Sequence, residues 1–162
     1  MGISPYLRRL RESVGHALVL VPSVAVLVWD AQGRLLLVRE AETGRWQTIG
    51  GAIDPDESPR EAALRETLEE AGVRVGLDGI RDVLGGPQFR LRYRNGDLVS
   101  YVPTVFDAHV LDGTPRPDGE ETLEVAWFTQ QALAQAPLTE FTHSLFEAAG
   151  VTGALAGGGS GQ

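Results

Sequence analysis

Apolar residues along this chain come in short runs whose spacing changes from stretch to stretch, and the changes lay out its elements. Residues 5–14, PYLRRLRESV, place their apolar positions at helical spacing and are followed by Gly15, which predicts a short amphipathic helix. Residues 18–30 form a nearly continuous apolar, β-branched run read as a strand, interrupted or bulged near Pro22. The turn Ala31-Gln32-Gly33 and a second run, RLLLVRE, ending at Glu40, complete what reads as a hairpin. Residues 80–93 and 98–111 read as two further strands. Asn95-Gly96-Asp97 between them is a strong hairpin signal, and Pro103 predicts an edge strand or a bulge. After a loop over 112–120, EVAWF reads as a last strand and residues 129–149 as one or two helices.

The best-marked helix spans Pro59 to Ala71. Ser58 and Glu61 form a capping-box pair, Pro59 suits the first turn, and Gly72 suits a left-handed C-terminal cap. At about 100° per residue, Leu64, Thr67, Leu68 and Ala71 share one arc, read as the core face. Glu66, Glu69 and Glu70 share another, flanked by Ala62 and Ala63. Like charges three and four residues apart repel by roughly 0.2–0.5 kcal/mol per pair. No Lys accompanies these acids at helical spacing, and Arg65 is one cation against three carboxylates.

The order helix, strands, helix, strands, helix predicts an α/β fold: an α/β/α sandwich with a mixed, largely antiparallel sheet. A length of 162 residues predicts one domain over 1–150, with 1–17 as an N-terminal helical extension and 151–162, rich in glycine, as a flexible tail. The net charge of −8 argues against binding a nucleic-acid polymer, because an acidic surface repels phosphate backbones. It leaves room for a small phosphorylated ligand, since a bound divalent cation inverts the local field. The chain has no cysteine, which removes disulfides, thiolate metal sites and thiol nucleophiles; this fits a reducing compartment, and a cytoplasmic location is the expectation. Residues 17–29 follow Arg8, Arg9 and Arg11 as a signal segment would. They contain Pro22, are rich in valine and are too short to span a bilayer, so no membrane association is expected. The three histidines are scattered and suggest no metal cluster.

Three acids beside paired glycines and a further acid, Glu57, suggest a hard-cation site. Carboxylates and a backbone carbonyl suit Mg²⁺ or Mn²⁺, leaving positions open for substrate phosphates. The spacing Gly51-x5-Glu57-x7-Arg65-Glu66-x2-Glu69-Glu70-x-Gly72-Val73 resembles the Nudix box. The departures are Thr67 in an aliphatic slot and Ile49 where many members carry proline. The likeness extends over about residues 20–135, including Trp46 before the glycines and Glu121 six residues before Trp127.

The resemblance implies hydrolysis of the pyrophosphate linkage of a nucleoside diphosphate derivative: an ADP-ribose-like sugar, a dinucleoside polyphosphate or a nucleoside triphosphate. It implies metal ligation by Gly50, Glu66, Glu69 and Glu70. Glu66, Glu69 and Glu121 are candidate bases, Arg65 orients a glutamate, and Glu57 contributes outer hydrogen bonds. Trp46, Arg90, Arg92 and Tyr93 are the candidate substrate contacts, with Phe89 and Tyr101 as further stacking rings. The alternative is a non-catalytic nucleotide-sensing or regulatory protein on the same fold; an isomerase is disfavoured by the lack of a cysteine. The N-terminal helix and strand could serve a homodimer contact.

Overall fold

The computed structural model describes residues 3–151. Helix α1 (Pro5–Val14) is capped by Ser4, whose Oγ accepts the Leu7 N–H, and ends at Gly15 with φ 60°. Strand β1 (Val19–Val28) is followed by β2 (Leu35–Glu40), β3 (Trp46–Gln47) and β4 (Ile49–Ala52). Helix α2 (Pro59–Ala71) then leads into β5 (Arg74–Val83), a 3₁₀ turn (Pro87–Phe89), β6 (Arg90–Arg92) and β7 (Leu98–Asp112). Strand β8 (Thr122–Phe128), α3 (Gln130–Leu133) and α4 (Glu140–Ala149) complete the chain. No helix among the described residues is long and apolar enough to cross a membrane.

The strands form two sheets. One runs β4–β1–β7–β5, with β6 also paired to β7, and mixes a parallel β1–β7 pair with antiparallel neighbours. The other is antiparallel, in the order β3–β2–β8. Along β1 and β2 every second residue meets α2: Val24, Val26, Val28, Leu36 and Val38 pack with Ala62, Ala63 and Ala71. The alternate residues Ala25, Leu27, Leu35 and Leu37 pack against Leu133 of α3 and Leu145 and Phe146 of α4. Burial on both faces explains why these strands read as unbroken apolar runs, and it establishes the α/β/α layering.

Several expectations need correction. The runs at 18–30 and 34–40 are not paired as a hairpin. Only the isolated bridge Trp29–Leu35 joins them, and the two strands enter different sheets. Strand β1 is not interrupted at Pro22; its register with β7 is continuous from Val19–Val99 to Val28–Ala108. The Pro22 carbonyl accepts from Ile53 N, so its missing N–H faces the end of β4, where the ladder stops. Pro103 lies in a central strand and faces the gap between β5 and β6, with its carbonyl accepting from Leu84 N. Residues 80–93 are not one strand, because Gly85-Gly86-Pro87 breaks the run and Gly86 has φ 104°. The Asn95-Gly96 turn does close the β6–β7 hairpin, with Tyr93 N bonded to Asp97 O at 2.9 Å. The packed chain reaches Val151, which is buried; residues 152–162, expected as a flexible tail, lie outside the described residues.

The largest correction concerns the face of α2. Its cap is as expected, with Ser58 Oγ accepting from Glu61 N and Glu61 Oε2 from Ser58 N, and Gly72 left-handed. Yet the buried stripe is Ala62, Ala63, Glu66, Thr67, Glu70 and Ala71, while Leu64 and Leu68 are 44% and 48% exposed. Alanines at this spacing let the helix ride close to β1 and β4, which turns the two leucines outward and two glutamates inward. Leu68→Gln is therefore expected to change stability by no more than about 0.5 kcal/mol. Ala63→Leu, which overpacks a filled face, is expected to cost about 1–3 kcal/mol. Urea melts measure both.

Candidate active site

The site begins at β4. Gly50 pairs with Ala25 of β1, and a Cβ on Gly50 would stand 2.1 Å from the Val24 carbonyl oxygen, so only glycine lets the strand lie here. The Gly50 N–H leaves the ladder and donates to Glu70 Oε2 at 3.3 Å. Because the N–H and C=O of a residue in an antiparallel strand point to the same side, the Gly50 carbonyl also faces the helix.

Glu66 and Glu70, one turn apart on the inward stripe, are 4% and 5% exposed. Burial, with Arg65 opposing it, pushes the Glu66 carboxyl up to about 7. Burial also raises Glu70 well above the carboxylate range, helped by the charges of Glu66 and Glu121 and opposed by the Gly50 N–H. Glu69 lies off this stripe, with its side chain 58% exposed.

Arg65 ties the group together. Its Nε and one terminal nitrogen form a bidentate pair with Glu57 at 2.7 and 2.8 Å. Its other terminal nitrogen donates to Glu66 at 2.9 Å and Glu69 at 3.3 Å, and a further bond reaches the Ala52 carbonyl. This fork holds the Glu57 carboxyl below its usual range, and Glu57 in turn caps the Asp54 N–H. Among the described residues no three acids or histidines stand close enough together to hold a metal ion as their side chains are placed. Arg65 stands between Glu57, Glu66 and Glu69.

Glu121 arrives from the other side of the fold. Asp118 Oδ1 accepts the N–H groups of Glu120, Glu121 and Thr122 at 2.8–3.0 Å. Partial burial works against ionisation there, but those donors hold the Asp118 carboxyl below its ordinary value. Thr122 Oγ1 donates to the Glu70 carbonyl at 3.1 Å, and the Glu121 carbonyl accepts from Ala41 N. The loop is thereby pinned between α2 and the end of β2.

One cavity brings these parts together: Gly50, Gly51, Glu70, Glu121 and Tyr93 line it. Trp46, Arg90 and Arg92, expected as substrate contacts, do not. Trp46 packs edge-on against Phe128, its centroid 4.8 Å away, and Arg90 and Arg92 are exposed on β6. Phe89 is buried core. Tyr101 does line the cavity, as do Ser23, Glu40, Gln47, Thr48 and Phe141, which local pattern did not single out. Ser23 carried a readable signal, being the one polar residue in the run VLVPSVAVLV. Glu40 and Phe141 carried none, because only the sheet and α4 place them there.

A buried acidic stripe, a glycine strand beside it and an opposing glutamate define an oxygen-donor centre on an α/β sandwich. The model of the NUDIX domain matches residues 19–149, and the chain belongs to the Nudix family. A MutT-like protein of Streptomyces ambofaciens is 34% identical over 113 residues, covering 70% of this chain and 66% of the relative. A putative 8-oxo-dGTP diphosphatase of Bacillus subtilis (strain 168) is 31% identical over 102 residues, covering 63% and 62%. The chain thus spans just under two thirds of either relative's length. The crystal structure of a MutT NUDIX hydrolase from Burkholderia pseudomallei superposes with a TM-score of 0.66 at 27% identity, covering 80% of this chain and 97% of that one.

The donor set fits a hard divalent cation: carboxylates and a carbonyl, with two of the carboxylates buried where burial opposes their charge. Glu70→Gln keeps an acceptor for the Gly50 N–H and removes a carboxyl whose ionisation burial opposes. Without divalent cations, it is expected to raise the melting temperature by about 2–4 °C, equivalent to about 1 kcal/mol in a domain of this size. Scanning calorimetry at neutral pH checks this.

Proposed function

We propose that the protein hydrolyses the pyrophosphate linkage of a nucleoside diphosphate derivative, with Mg²⁺ or Mn²⁺ as cofactor. The observation that carries this reading is the buried Glu70, one turn from the inward Glu66 and sharing with Glu121 a cavity bordered by Gly50. Glu66, Glu70 and the Gly50 carbonyl would hold the cation, and Glu69 would share it. When bound, the cation neutralises diphosphate charge and acidifies a water molecule.

The chain's own groups do the rest. Of the three candidate bases, Glu121 lines the cavity and Glu66 and Glu69 do not. Glu121 is therefore the residue that takes the proton from the attacking water. Arg65 and Glu57 are positioning residues: their bidentate pair fixes the guanidinium that orients Glu66. Asp118 and Thr122 position Glu121 through the loop backbone. The substrate classes to test are ADP-ribose-like sugars, dinucleoside polyphosphates and nucleoside triphosphates.

The test is product release from a panel of these substrates with Mg²⁺ and with EDTA. Turnover is expected only with the metal, and no turnover of any class would refute the reading. Glu121→Gln is expected to lower kcat by about 10²–10⁴-fold, while Glu120→Gln, an exposed neighbour, leaves it nearly unchanged. Equal small effects would remove Glu121 from the role.

A further inference from the structure

The inward row of β1 on the α4 side reads Val21, Ser23, Ala25, Leu27. Ser23 is the one polar member. It is 3% exposed, and its Oγ has no hydrogen-bond partner among the described residues. A buried hydroxyl left unpaired is unfavourable, and such a group in a native fold calls for an explanation: a water molecule, an ion or a bound ligand that completes it. Ser23 lines the same cavity as Glu70 and Glu121.

The rest of that wall is aromatic. Tyr93 and Tyr101 bring their hydroxyls within 2.6 Å of each other, so one donates and the other keeps its proton for a further acceptor. Phe141 lies edge-on to Tyr101, with centroids 5.9 Å apart. The cavity thus has a carboxylate part and an aromatic, hydroxyl-bearing part. With the diphosphate at the carboxylates, the group attached to it meets the aromatic wall. A ribose offers hydroxyls but no flat apolar face. A nucleobase offers a ring face for the aromatic side chains and a polar edge for a hydroxyl.

We infer that Ser23 is a specificity-determining residue: its hydroxyl hydrogen-bonds the edge of the substrate's nucleobase, which seats against Tyr93, Tyr101 and Phe141. This rests on the proposed nucleoside diphosphate reading, which sets where the phosphates lie. A site built to hydrogen-bond a substrate group discriminates strongly against ligands that lack the group, because its own buried polar atoms are then left unpaired.

Binding tests this apart from hydrolysis. Calorimetry with Mg²⁺ compares AMP, GMP, CMP and UMP with ribose 5-phosphate on the full chain and on Ser23→Ala. At least one nucleotide is expected to bind the wild type about tenfold or more tightly than ribose 5-phosphate. Ser23→Ala loses about tenfold on that nucleotide and nothing on ribose 5-phosphate. Without ligand, Ser23→Ala melts no lower than wild type, since it removes an unpaired hydroxyl and no bond. Equal wild-type affinity for nucleotide and ribose 5-phosphate, equal loss on both in the variant, no loss on either, or a lower melting temperature would each overturn the inference. Base-selective binding without hydrolysis would refute the hydrolase reading and leave Ser23 in its role; hydrolysis with base-blind binding would do the reverse.

Discussion

Two carboxylates one turn apart, turned into the fold where burial opposes their charge, set the terms for the structure around them. Glu66 and Glu70 occupy positions on α2 that a purely apolar packing rule would assign to leucine. Their presence requires compensating groups: the Gly50 N–H for Glu70 and the Arg65 guanidinium for Glu66. Each of those groups needs its own support. Gly50 must lack a side chain to sit against the Val24 carbonyl, and Arg65 is held by the bidentate Glu57 pair. The capping box at Ser58 and Glu61 then sets where the helix starts, and so which residues face inward.

The same economy governs the far side of the cavity. Glu121 sits on a loop with little regular structure, and a single carboxylate, Asp118, organises it by gathering three successive N–H groups. Thr122 carries that order to the backbone of α2 at Glu70. A glutamate 51 positions further along the chain is thus held beside the acidic stripe by hydrogen bonds between side chains and backbone. The N-terminal helix is attached in a comparable way: Arg11 bonds the carbonyls of Gly15, Ala17 and Leu98 and reaches Asp97, which also receives His16. The hairpin that carries Tyr93 to the cavity is braced by this cluster.

Where pattern reading succeeded, the cause was local. The α2 caps, the Gly15 stop and the Asn95-Gly96 turn depend on the conformations of a few adjacent residues, and all three are present. Where it failed, the cause was a partner distant in sequence. The two N-terminal strands looked like a hairpin because they are adjacent and apolar, yet β1 pairs with β7, 80 positions away, and β2 with β8. The wheel for α2 ranked faces by hydropathy and chose the leucines. The helix instead packs its smallest side chains inward, because close approach to β1 and β4 decides the fit. Arg90 and Arg92 do alternate with Leu91 on β6, and they are exposed and outside the cavity, because pairing with β7 decides where that short strand lies.

Taken alone, the chain specified its chemistry: the acids, the glycines and the arginine at their fixed spacing, because a helix and a tight strand translate spacing directly into position. It also specified the layered α/β class, since doubly buried strands require apolar residues on both faces. Which acids turn inward, which glutamate meets them from across the cavity, and which hydroxyl is left unpaired in its wall were decided only by tertiary structure. Those outcomes depend on how sheets and helices from distant parts of the chain close on one another, and no local period encodes that closure.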